Sequence, residues 1–346
     1  MHPISKLLTA WYKNNKRDLP WRHTTDPYKI WLSEVILQQT QVIQGLNYYL
    51  KFIENFPTVA DLAKAPEDKV MSLWQGLGYY SRARNLHHAS KEIYKNYKGV
   101  FPNTYNEIKA LKGIGDYTAA AVSSFAFKLP YAVVDGNVYR VLARVFETDT
   151  PINSSEGKKE FQLLADELLN KNKPDIHNSA IMELGALVCK PQNPQCSICP
   201  INLHCLAFQN QTVLNFPVKT KKTKIRDRYF NYLVFNYKEQ LFIKKRISKD
   251  IWQNLYEFYL IESDKEISTE ELFLNEFLKK LKKKTIILSI TKLPKHILSH
   301  QHIYSTFYEL ELNEAINLEG FVIVKKSDLH KYGTPQLIQK YLLKKK

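Results

Sequence analysis

The chain has 346 residues, 44% of them hydrophobic, enough to bury the core of one large domain or two medium ones. It holds no run of 18 apolar residues, which argues against a membrane-spanning helix, and its N-terminus turns polar by Lys13 without a long apolar stretch, which argues against a secretory leader. The formal net charge of +16 points to a polyanionic partner, nucleic acid first, although most of the surplus is lysine and a lysine-rich composition alone gives the same figure. Cytoplasm is the expected compartment, with nucleoid association if the source is bacterial.

The first clear helix starts at Asp26-Pro27, because an Asp side chain caps free N–H groups and Pro suits the first helical position. Leu32, Val35, Ile36, Ile43, Leu46 and Leu50 then recur at near-helical spacing. Glu34 sits in this stretch beside Val35, Ile36 and Leu37. A lone Glu on a helix usually faces water. Apolar neighbours favour partial burial, which raises a carboxyl pKa and suits it to general-acid work. Helices are predicted over 58–64, 66–74, 80–97, 104–111, 116–127, 136–146, 156–169 and 174–188, joined by short turns as in a compact all-α domain.

Between two of these helices runs Leu111-Lys-Gly-Ile-Gly-Asp-Tyr-Thr-Ala119. Gly113 and Gly115 permit a tight turn, and the turn delivers a helix N-terminus whose free N–H groups favour a phosphate. A hairpin of this kind grips DNA backbone without reading bases. A plain connection punctuated by glycine has the same sequence. Asp135 follows an apolar run and precedes a helical pattern in VVDGNVYR (133–140). It reads as an N-cap, and a carboxylate held there also suits a developing cation.

All four cysteines fall between Cys189 and Cys205, spaced Cys189-x6-Cys196-x2-Cys199-x5-Cys205. So tight a group argues for a metal centre rather than a disulfide framework. Zinc and a [4Fe–4S] cluster both take four thiolates. A single CxxC with uneven flanks favours the iron cluster over a zinc ribbon with two such pairs.

Residues 209–228 are polar and basic with little periodicity, and read as a linker. Beyond them YFNYLVFNY, QLFIKKR, YEFYLI, TIILSIT and IYSTFYELEL are rich in aromatic and β-branched residues and read as strands. Helical patterns flank them at 268–282 and 335–344. The basic run 279–285 reads as a solvated helix end. The expected architecture is an all-α helix-hairpin-helix domain with a four-cysteine loop over 1–208, a linker over 209–228, and a small α+β domain over 229–346.

Taken together, the LKGIGDYTA hairpin, the VVDGNV aspartate and the cysteine cluster resemble the endonuclease III-like helix-hairpin-helix superfamily of DNA glycosylases. Within it the chain resembles the A/G-specific adenine glycosylases of the MutY type, through DLPWR (18–22), WLSEVILQQTQV (31–42), WQGLGYYSRARNLH (74–87) and the second domain. Bifunctional members of the superfamily carry a hairpin lysine that forms a Schiff base; Tyr117 stands there in this chain and cannot form an imine. Thymine-specific relatives share that tyrosine but lack an acid at position 34.

The resemblance implies a monofunctional, monomeric base-excision enzyme that removes adenine opposite 8-oxoguanine or guanine in duplex DNA and carries a [4Fe–4S] cluster on Cys189, Cys196, Cys199 and Cys205. It implies Glu34 as the acid, Asp135 as the carboxylate facing the sugar cation, and Tyr117 and Asn137 as positioning groups. It further implies that Arg22 helps to orient the base or Glu34. Gln39, Thr40 and Tyr79 contact or wedge beside the opposite base, and Gly113 and Gly115 hold the backbone. The second domain resembles a Nudix fold without the glutamate-rich magnesium helix, so it is expected to recognise rather than hydrolyse. Its loop HILSHQHI (296–303) places Ser299 and His300 at positions that read 8-oxoguanine, with Leu298 where the family usually has Phe. Two rival readings are a pyrimidine glycosylase of the same superfamily and a non-catalytic, cluster-bearing DNA-binding protein. Glu34 argues against both, Tyr117 and the second domain against the first, and Asp135 against the second.

Overall fold

A computed structural model describes residues 1–220, 225–281 and 283–345. Residues 221–224 of the expected linker, Lys282 of the predicted helix 268–282 and of the basic run, and Lys346 lie outside that description. No helix among the described residues is long and apolar enough to cross a membrane. The chain forms two compact units, Met1–Ala63 with His88–Lys221, and Lys64–His87 with Lys222–Lys346. A boundary at 208–229 assigns residues 64–87 to the helical domain; in the folded chain they group with the strand-rich unit.

The helices in chain order are α1 (Pro3–Asn15), α2 (Pro27–Leu37), α3 (Val42–Asn55), α4 (Val59–Lys64), α5 (Glu67–Leu73), α6 (Ser81–Asn96), α7 (Tyr105–Ala110), α8 (Asp116–Phe127), α9 (Gly136–Val145), α10 (Ser155–Leu168), α11 (Pro174–Leu187) and α12 (Leu206–Gln209). Several starts are chemically capped: Asp26 accepts from Tyr28 N, Thr104 from Glu107 N, and Ser154 from Gly157 N. The apolar spacing from Leu32 to Leu50 runs across a break. α2 ends at Leu37, Gln39 takes a left-handed φ of 54°, and α3 begins anew at Val42. Ile43 and Leu50 are consequently exposed rather than core residues.

Two contacts in the first unit place the site. The small side chains Ala119, Ala120 and Ala121 of α8 are buried, and α8 packs closely on α2. Gly185 brings α11 against the start of α9: a Cβ there would lie 2.6 Å from Asn137 Cβ. The core beneath joins Leu8, Leu142, Phe161 and Leu184, from α1, α9, α10 and α11.

The second unit is built on one sheet of β1 (Arg226–Tyr237), β2 (Gln240–Lys245), β3 (Tyr256–Glu257), β4 (Tyr259–Ser263), β5 (Thr285–Ile297), β6 (Gln301–Leu312) and β7 (Phe321–Lys325). The order is β3-β2-β1-β6-β5, with β4 on β1 and β7 on β2; β1 and β6 run parallel and the other pairs antiparallel. β1 is buried on both faces from Phe230 to Asn236, so its sequence does not alternate apolar with polar residues. One face packs Leu233, Phe235 and Leu310 against α13 (Thr269–Phe273) and α14 (Glu276–Leu281). On the other, Tyr232, Phe307 and Tyr341 of α15 (Gln336–Lys344) stack in sequence. The predicted helix 268–282 is two short helices, because Ser268 forms a capping box with Glu271 and Asn275 accepts from Phe277 N to start a second turn.

Candidate active site

In the first unit a cleft of about 740 Å³ is lined by Glu34, Tyr117, Asp135, Asn137, Arg22 and Thr40 among others. Sequence positions more than a hundred residues apart meet here because α2, α8, α9 and α11 converge. Glu34 comes from α2 and is only 7% exposed. Tyr117, in the first turn of α8, donates its hydroxyl to Glu34 Oε2 at 2.5 Å. Burial pushes the Glu34 carboxyl up to about 7; the Tyr117 hydrogen bond opposes it, Asp135 adds to it and Arg22 opposes it.

Asp135 is the N-cap of α9. Its Oδ1 accepts from Asn137 N at 2.9 Å and Val138 N at 2.8 Å, and its Oδ2 from Asn137 Nδ2 at 2.7 Å. Burial raises its pKa, while those donors and Arg140 pull it back. Capping therefore aims this carboxylate and spends much of its hydrogen-bonding capacity. Asn137 is oriented in turn, since Arg140 Nη2 donates to its Oδ1 at 2.9 Å and to Gly185 O at 2.7 Å.

Glu183, fully buried on α11, was not singled out from the sequence. Five donors converge on it: Arg17 N, Nε and Nη2, and Arg22 Nη1 and Nη2. Burial alone would raise its pKa, but the arginine hydrogen bonds outweigh it and hold it down at about 2. Its work is to fix Arg17 and Arg22 at the cleft wall, with the Arg22 guanidinium also 5.5 Å from the Tyr12 ring. Glu183 shows the same signal that singles out Glu34, a lone acid in an apolar helical stretch.

The four cysteines are free and line one small void of about 20 Å³. Arg144, 2% exposed, reaches into the loop from α9: Nη1 donates to Cys189 Sγ at 3.2 Å and Lys190 O at 2.8 Å, and Nε to Val213 O at 3.0 Å. Arg140 Nε donates to Cys189 O at 2.7 Å. One helix thus carries Asp135 at its start and ties down the cysteine loop with its last turns. Neither arginine was picked out from the sequence, since the acceptors are loop carbonyls that carry no residue-type signal.

The remaining expected residues fall elsewhere. Gly113 turns the α7–α8 hairpin with φ 80°, and Gly115 caps α8 in open space. Gln39 is exposed at the α2–α3 break. Tyr79 belongs to the second unit and is 47% exposed at φ 47°. Ser299 and His300 form the exposed β5–β6 turn, bonded to each other at 3.0 Å. In the same unit the acids Asp250, Glu257 and Glu262 are engaged by Arg228 and Arg246.

The family model described as HhH-GPD superfamily base excision DNA repair protein matches residues 32–168, and a NUDIX domain model matches 231–344. The adenine DNA glycosylase of Buchnera aphidicola subsp. Baizongia pistaciae is 36% identical over 302 residues, covering 86% of this chain and 83% of that protein. The adenine DNA glycosylase of Homo sapiens is 43% identical over 211 residues, 58% of this chain and 39% of that protein. Among solved structures, a thermostable thymine-DNA glycosylase aligns with a TM-score of 0.56 at 29% identity, over 60% of this chain and 95% of that one. A non-covalent endonuclease III–DNA complex shares the fold, with a TM-score of 0.52 at 23% identity over 60% of this chain and 94% of that one.

Proposed function

Because the chain belongs to the adenine DNA glycosylases of base-excision repair, with a helix-hairpin-helix and a Nudix-like domain, we propose that it hydrolyses the N-glycosidic bond of adenine opposite 8-oxoguanine or guanine in duplex DNA, without cutting the strand. The observation that carries this reading is the buried Glu34, held protonatable near neutral pH in the same cleft as a capped Asp135.

Adenine flipped from the duplex enters the cleft. Glu34 gives its proton to N7, so the C1′–N9 electron pair leaves with a neutral base. Positive charge develops on the sugar at C1′, and the Asp135 carboxylate faces it. Water then adds its oxygen to C1′ and gives up a proton to Glu34, which leaves an abasic sugar and restores the acid. Tyr117 orients Glu34 through its hydroxyl, and a phenol has no amine with which to form an imine, so strand scission by Schiff-base chemistry has no nucleophile at that position. Arg17 and Arg22, pinned by Glu183, offer fixed donors to the base.

Cys189, Cys196, Cys199 and Cys205 are proposed to hold a [4Fe–4S] cluster. Among the described residues no three His, Cys, Asp or Glu side chains stand close enough to grip a single ion. The four thiols line one void, and their spacing, with a single CxxC and uneven flanks, favours a cluster over a zinc ribbon. The Arg144 donor on Cys189 Sγ suits an anionic centre. Arg144→Met keeps the length and strands the Cys189, Lys190 and Val213 acceptors, at an expected cost of about 3 kcal/mol or more. Thermal unfolding and bound iron per chain check this; an unchanged melting temperature with full iron would refute the role given to Arg144.

The function itself is tested by single-turnover excision on duplexes with adenine opposite 8-oxoguanine or guanine, with and without alkali before electrophoresis. Breaks only after alkali are expected. Breaks without alkali would overturn the monofunctional reading, and release of thymine instead of adenine would overturn the substrate.

A further inference from the structure

The turn 74–80 is built to present one side chain. Gly76, Gly78 and Tyr79 all have positive φ, at 91°, 78° and 47°. A bulky non-glycine residue rarely stays in that region unless its surroundings enforce it, and such strain concentrates at functional positions. The surroundings are explicit. Trp74 Nε1 donates to Gly78 O at 3.0 Å, Tyr80 OH accepts from Gly76 N at 3.2 Å, and Arg82 Nη2 donates to Gly78 O at 3.3 Å. The Arg82 guanidinium lies 5.1 Å from the Trp74 ring and 5.6 Å from the Tyr79 ring. Tyr79 is nevertheless 47% exposed.

This turn precedes the strands by more than a hundred residues, yet strand-rich elements hold the segment around it. Asp68 of α5 takes Lys245 Nζ of β2 at 2.6 Å and Tyr256 OH of β3 at 3.2 Å, from positions paired across the two strands. Glu67 accepts from Asn254 Nδ2 at 2.5 Å. On the far side of the turn, Arg84 of α6 donates to Gln253 O at 2.7 Å. Gln75, inside the turn, donates to Thr334 Oγ1 at 3.3 Å. The backbones also approach closely, since a Cβ on Gly333 would lie 3.1 Å from Met71 C. The loop that supplies Gln253 and Asn254 is itself stiff: Trp252 and Asn254 have positive φ, and Arg246 bonds Ile251 O, Asp250 and Glu257.

We propose that the Nudix-like domain sets the position of Tyr79 through Asp68–Lys245, Glu67–Asn254 and Arg84–Gln253, making these specificity-positioning contacts for the base opposite the adenine. This rests on the reading above that Tyr79 acts beside the opposite base. The domain then serves discrimination in two ways, through its exposed Ser299–His300 turn and through the turn at Tyr79, over two hundred positions before Ser299.

The test compares single-turnover excision of adenine opposite 8-oxoguanine and opposite guanine, and takes the ratio of the two rates. Asp68→Lys is expected to lower that ratio about fivefold or more, and the exchange Asp68→Lys with Lys245→Asp to restore most of it. In a Tyr79→Ala background Asp68→Lys is expected to change nothing further. Arg84→Met gives the same comparison should Asp68→Lys fold poorly, with melting temperatures measured throughout. A ratio that Tyr79→Ala lowers but Asp68→Lys and Arg84→Met leave alone would overturn the clamp, as would an undiminished Asp68→Lys effect on Tyr79→Ala. Tyr79→Ala with a wild-type ratio would overturn the role of Tyr79, and no adenine release by the wild type would overturn the proposed function itself.

Discussion

Glu34→Gln is expected to lower the single-turnover rate of adenine release by about 10³-fold or more, while duplex binding stays within a few-fold of wild type. The substitution keeps the shape of a side chain that is 7% exposed and can still accept from the Tyr117 hydroxyl. What it removes is the transferable proton. The wild-type profile carries the same signature. As the proposed acid, Glu34 must be protonated to act, and its pKa is raised to about 7, so activity is expected to fall as pH rises through that value. Stability follows in the same direction. A carboxyl raised in the fold stabilises it below the ordinary carboxylate value and loses that contribution as pH rises through about 7. The Glu34→Gln protein is therefore expected to lack this loss and to gain melting temperature relative to wild type between pH 5 and 8. Adenine release persisting in Glu34→Gln would end the assignment of the acid.

Asp135→Asn is expected to slow release by about 10²–10³-fold and to cost about 1 kcal/mol of stability, the loss of one hydrogen bond. Asn is as good an N-cap as Asp, so the oxygen accepting from Asn137 N and Val138 N is kept and α9 retains its start. The lost elements are the negative charge proposed to face the sugar and the acceptor for Asn137 Nδ2. Asp135→Ala removes charge and cap together, and should add about 1 kcal/mol of destabilisation. Measuring both variants separates the two duties of one side chain. Equal rates for wild type and Asp135→Asn would leave Asp135 as a helix cap alone.

Much of the architecture was legible before folding. Asp26-Pro27, the two hairpin glycines and the apolar spacing of α8 to α11 are local signals, and the helices appear within a residue or two of where those signals put them. Where the folded chain departs from these signals, tertiary packing overrules them. Spacing continues smoothly through 38–41, yet the chain turns there because α3 packs back on α2, with Leu37 Cδ2 only 2.7 Å from where a Gly45 Cβ would stand. Residues 64–87 look like any other helical stretch, but their polar partners Lys245, Gln253, Asn254 and Tyr256 lie on strands and loops far along the chain.

For the site, the sequence alone determined the chemical inventory: four thiols within one short segment, a phenol in the glycine hairpin, an acid set among apolar residues, and a carboxylate placed to cap a helix. These follow from residue type and short spacing, which no later folding step can alter. Only the tertiary structure decided how that inventory is tuned. The raised Glu34 carboxyl depends on α8 covering α2, and the depressed Glu183 carboxyl on Arg17 and Arg22 arriving from more than 160 positions away. The hold of Arg144 on the cysteine loop likewise depends on carbonyls that any residue could supply. Burial and charge pairing are properties of surroundings, and in a chain that folds back on itself the surroundings are set by distant residues.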